Sequence, residues 1–197
     1  MRKTLAVFAT ALALAATTSV ASARSGIQLE PTTTTLSMPA FTYEFGIGTG
    51  IRCDVTFDLA LHPRVGKVAS SLAGTFDIAV GDCTEGELGV LVGGSRRAAG
   101  GPYHLTYQSF TGTLPNISSI TFRLNDVHIW FKWGGFLECL SDGPVDIGAT
   151  TTGGNPFTGI AITSQQVPIA AEFLCDVSAI EITASGSLSS SVRMTLF

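Results

Sequence analysis

Ile51-Arg52-Cys53-Asp54-Val55-Thr56-Phe57-Asp58-Leu59-Ala60-Leu61-His62 alternates without a break. Ile51, Cys53, Val55, Phe57, Leu59 and Leu61 share one face of a period-two chain. Arg52, Asp54, Thr56, Asp58, Ala60 and His62 share the other. Successive side chains of a strand point to opposite faces, so this is a strand with one face in a core and one in water. Pro63 ends it.

Working outward, the same period recurs. Leu72, Gly74, Phe76, Ile78 and Val80 form one face of a second segment. Tyr103, Leu105 and Tyr107 form a third, and Ile120, Phe122 and Leu124 a fourth. Val127, Ile129, Phe131 and Trp133 follow, with Asn125-Asp126 read as the turn of a hairpin. Residues 157–163, 167–177, 180–183 and 188–196 supply the rest. Upstream, Thr32-Thr33-Thr34-Thr35 is β-branched and suits an extended edge. Gly-rich breaks separate the segments, at Gly93-Gly94, Gly100-Gly101-Pro102, Gly134-Gly135 and Gly153-Gly154-Asn155-Pro156. No window carries a capped amphipathic helix. The expected fold is all-β: an antiparallel β-sandwich of about ten strands with Gly-rich turns.

Met1 to Ala23 reads as a secretory signal peptide. Arg2 and Lys3 are its basic start, Leu5 to Ala16 its apolar run, and Ala21-Ser22-Ala23 its small-residue cleavage signal. No second long apolar run follows, so the mature domain, 24–197, is expected to be secreted or at the cell surface and not membrane-spanning. Cleavage removes two cations and no acid, taking the formal charge from −4 to −6. An acidic chain with only 13% charged residues disfavours nucleic acid as a partner.

Outside the cytosol four cysteines should pair. Cys53 with Cys83, and Cys139 with Cys175, each close a loop within one half of the chain. No CxxC spacing points to redox chemistry. Cys53-Asp54-Val55 recurs as Cys175-Asp176-Val177, an echo that would divide the chain into two stapled halves near 112–118.

Catalytic motifs are missing. His62, His104 and His128 have no metal-binding spacing, and Gly93-Gly94-Ser95-Arg96-Arg97 fails the nucleophile-elbow pattern. The acidic turns Asp82–Glu87 and Asp142–Asp146 match no calcium loop and read as solvated turns. No cofactor is expected. The reading is a non-enzymatic protein acting by structural association or by ligand or glycan binding. A hydrolase with a dispersed active site is the alternative, and a small outer-membrane barrel a further one. Mean hydropathy of +0.38 calls for either a large core or a covered apolar surface.

Both tryptophans lie in His128-Ile129-Trp130-Phe131-Lys132-Trp133. Parity sends Trp133 to the core and Trp130 outward, beside His128 and Lys132. An outward indole next to cations is a platform for a sugar or a neighbouring subunit. The competing reading is a strand covered on both faces, with Trp130 as core.

Overall fold

The computed structural model describes residues 26–45, 50–84, 86–92, 95–113, 116–133, 137–170, 175 and 177–197. The signal segment and the Gly-rich breaks at Gly93-Gly94 and Gly134-Gly135 lie outside the described residues. Those described form strands and no helix. In chain order they are β1 (Gly26–Glu30), β2 (Thr33–Glu44), β3 (Gly50–Leu61), β4 (Arg64–Gly66), β5 (Ser71–Thr84), β6 (Gly86–Val92) and β7 (Ser95–Arg97). There follow β8 (Ala99–Thr113), β9 (Asn116–Val127), β10 (Ile129–Trp133), β11 (Leu137–Leu140), β12 (Val145–Thr152), β13 (Phe157–Pro168) and β14 (Ala179–Leu196).

The expected sandwich is instead a barrel. Strands β2, β3, β5, β8, β9, β12, β13 and β14 pair antiparallel in that order, and β14 returns to pair with β2. With β4, β6, β7, β10 and β11 set aside, neighbours in the barrel are neighbours in the chain, the up-and-down arrangement. Alternation alone did not separate the two architectures, because one dry face per strand serves both. The ladder between β2 and β14 ends at Leu36, so Thr33–Thr35 pairs with β3 alone, and Thr34 and Thr35 reach β14 through hydrogen bonds with Ser190 and Ser189.

Three other expectations change. Asn125-Asp126 is not a hairpin turn: β9 runs on to Val127, Asp126 takes a positive φ of 60°, and the register with β12 slips there. The extra residue keeps Leu124, Val127 and Ile129 all inward, as a bulge does. β10 pairs with β6 and β11 and leaves the barrel. Leu72 faces water while Ala73 is buried, because a register slip between Leu72 and Gly74 reverses the parity. Residues 157–163 and the start of 167–177 are one strand, β13, and 180–183 and 188–196 are one strand, β14, each bent by register slips.

β6–β7 and β10–β11 are excursions between barrel strands. They join as a second sheet, in order β11-β10-β6-β7, that caps one mouth of the barrel. Phe131 on its inner face meets Phe45 with ring centroids 4.9 Å apart. Leu88, Val90 and Ile129 line a void of about 20 Å³ together with Phe41 and Val55 of the barrel. Barrel and cap therefore share one apolar core.

Both disulfides form as the spacing suggested. Cys53–Cys83 ties paired neighbours in β3 and β5, and Cys139–Cys175 ties β11 of the cap to the segment before β14. Removing Cys139–Cys175 by a double Ala substitution should cost about 2–4 kcal/mol, read as a lower urea midpoint. An unchanged midpoint would mean that the cap is held by packing alone.

β1 and β4 extend the sheet beyond β14. Gly26 and Phe197 exchange backbone hydrogen bonds, the Phe197 ring lies against Gly26, and the Arg64 guanidinium sits 5.1 Å above that ring.

Candidate functional site

Three places merit a chemical reading: the barrel interior, a groove on its wall, and the outer face of the cap.

The interior is lined by apolar side chains such as Met38, Phe57, Phe122 and Phe157, and its free space is about 30 Å³. Its polar member, Thr151, accepts a hydrogen bond from the Ile120 N–H at 2.8 Å. Eight strands make a barrel that side chains can fill, and here they fill it. The described side chains make the interior an apolar core.

The groove, about 410 Å³, crosses β14, β2, β3 and β5, and Thr33, Thr35, Asp58, Asp77 and Ser189 are among its lining residues. Asp58 and Asp77 are directly opposite each other, and both are exposed. Like charges so placed cost up to about 1 kcal/mol. Thr35 Oγ1 donates to Asp58 Oδ1 at 2.9 Å. Among the described residues no three His, Cys, Asp or Glu side chains come together as a metal site. The acidic turn at Asp146 is used structurally: its carboxylate accepts from Asn125 Nδ2 and lies 3.6 Å from Arg123. His62 and His104 are exposed.

The cap's outer face is built by register. Trp130 stands opposite Gly89 on one side and Leu140 on the other, and Lys132 stands between Glu87 and Glu138. Gly89 leaves the room that the pyrrole edge of the indole occupies. A Cβ there would sit 2.4 Å from Trp130 Nε1, so the ring rests directly on the β6 backbone. The indole N–H donates to the Arg97 carbonyl at 3.3 Å, which fixes the ring's direction. Trp130 is half-buried. It points outward as parity requires, yet it is pinned rather than free. Its partner Gly89 carries no signal in the sequence, because only the cross-strand register pairs the two.

Arg96 on β7 and Glu138 on β11 meet at 2.6 Å, spanning the face from one edge strand to the other. Lys132 is half-buried on the same face, and His128 is half-buried at the joint between β9 and β10. Trp133 closes β10, and its side chain lies outside the described residues. Deep in the barrel-cap junction, burial holds the Tyr43 phenol far above its ordinary range, so it stays protonated and serves packing.

No protein-family model, no curated protein and no solved structure matches this chain.

Proposed function

We propose that this is a secreted or cell-surface binding protein, non-enzymatic, whose contact surface is the outer face of the cap, centred on Trp130. The observation that carries the reading is the indole set with its Nε1–Cε2 edge against Gly89 and held by the Arg97 carbonyl. A large amphipathic ring, immobilised and partly in water, loses little entropy when a ligand stacks on it. The filled interior leaves binding to the outside. Two intramolecular disulfides suit an oxidising compartment. The barrel's wall argues against a bilayer: Thr33, Asp58, Asp77, His104 and Arg123 face out and Phe57, Phe122 and Phe157 face in. A spanning barrel has the opposite pattern.

The hydrolytic alternative has one place to stand, Asp58 and Asp77 in the groove. A pair of carboxylates divides acid and base roles when one is set in an apolar pocket. Both of these are exposed, and no aromatic ring lines the groove.

Trp130→Ala should keep the fold, at a cost of about 1–2 kcal/mol, below the ~3–5 kcal/mol of a fully buried aromatic. It should also lose retention on cell envelopes from the producing organism, measured by sedimentation with washed envelopes. Equal retention of both proteins would sink the proposal. So would loss of hydrolytic activity in Asp58→Asn alongside intact activity in Trp130→Ala.

A further inference from the structure

The charge pattern around Trp130 narrows what the face accepts, on the reading that this face is the contact surface. We infer that its ligand is a neutral, hydroxyl-rich oligosaccharide. The face presents Arg96 and Lys132 against Glu87 and Glu138, two of each sign, interleaved across β7, β6, β10 and β11. An anionic chain laid over the indole meets Glu87 and Glu138, and a cationic one meets Arg96 and Lys132. Each would desolvate a like charge. A neutral sugar meets donors and acceptors on every side. Its C–H face stacks on the indole, while its hydroxyls donate to carboxylates and accept from the ammonium and guanidinium groups.

A second copy of the chain fits this face less well. A stable dimer buries about 800 Å² per partner around an apolar centre. Among the residues whose side chains are described, the apolar surface here is one half-buried indole beside half-buried Leu140. The exposed large apolar residues among those described, Val68, Leu72 and Phe197, are on other strands and loops. The Arg96–Glu138 pair spans the face with 45% and 31% of its side chains exposed, so the pair lies partly in water.

The test is affinity electrophoresis of the mature protein through gels containing a neutral polysaccharide, in turn hydroxyethylcellulose, glycol chitin, soluble starch or dextran. Dextran sulfate and polylysine serve as charged controls, and sedimentation velocity runs in parallel. The expected result is retardation by at least one neutral polymer, with affinity falling about tenfold or more in Trp130→Ala and partly kept in Trp130→Phe. Circular dichroism confirms that both variants fold. Retardation that is the same in wild type and Trp130→Ala places the sugar elsewhere and overturns both the inference and the cap-face reading. Trp130-dependent binding to dextran sulfate or polylysine alone, or a Trp130-dependent dimer without polysaccharide binding, overturns the neutral ligand and keeps the face. No retardation by any polymer and a monomer unaffected by the substitution overturns both.

Discussion

Gly186→Val is expected to stop the barrel from closing. Gly186 lies in β14, paired with Ile160 of β13 on one side and within the register slip against β2 on the other. A Cβ at Gly186 would stand 2.2 Å from the Ser37 carbonyl oxygen, and one at Gly159 would stand 2.5 Å from the Gly186 carbonyl oxygen. These are backbone atoms of paired strands, so neither moves without breaking the ladder that seals the sheet. Overpacking of this kind should cost about 3 kcal/mol or more, against a total stability of about 5–15 kcal/mol for a domain. Loss of the near-ultraviolet dichroism and a large fall in Tm are the expected readouts. Gly148→Ala is the control. Its Cβ would meet only Gln165 Oε1, at 3.7 Å on the outer wall, so a neutral or slightly stabilising change is expected. Equal behaviour of the two variants would show that the seam has slack.

Phe131→Ala is the second large effect. The ring is fully buried and packs on Phe45, at the junction where the cap meets the barrel. Truncation removes a buried aromatic and leaves a cavity, at about 3–5 kcal/mol. The loss should not spread evenly. β6 and β10 are joined to the barrel through this junction and the chain excursions, so their amides should exchange first, while β3, β5 and β9 keep their protection. Hydrogen exchange resolved by strand checks this. A uniform rise in exchange would mean that barrel and cap unfold as one unit, and that the cap is not a separable platform.

The amount of this molecule legible before folding differs from residue to residue. Phe57, Phe76, Leu105 and Phe122 are inward because period two leaves them no other choice. Leu72 and Asn125-Asp126 were misassigned for a common reason. A bulge adds one residue, reverses parity, and leaves no mark except in the partner strand's register. Parity places Trp130 on the face opposite Phe131, where it is half-buried. The glycine against it, the carbonyl that holds it and the arginine of the ion pair lie 33 to 41 residues upstream, Glu138 lies on the far edge strand, and only pairing brings them together.

From the chain alone came the all-β class, the inward faces of most strands and the two local disulfides. Each follows from covalent connectivity and side-chain alternation, which are local properties. Closure of the sheet, the departure of β10 from the barrel and the assembly of the cap's outer face came from the tertiary structure. They depend on which backbones can approach closely, at Gly159, Gly186 and Gly89, and on register slips whose effects appear only against a neighbouring strand.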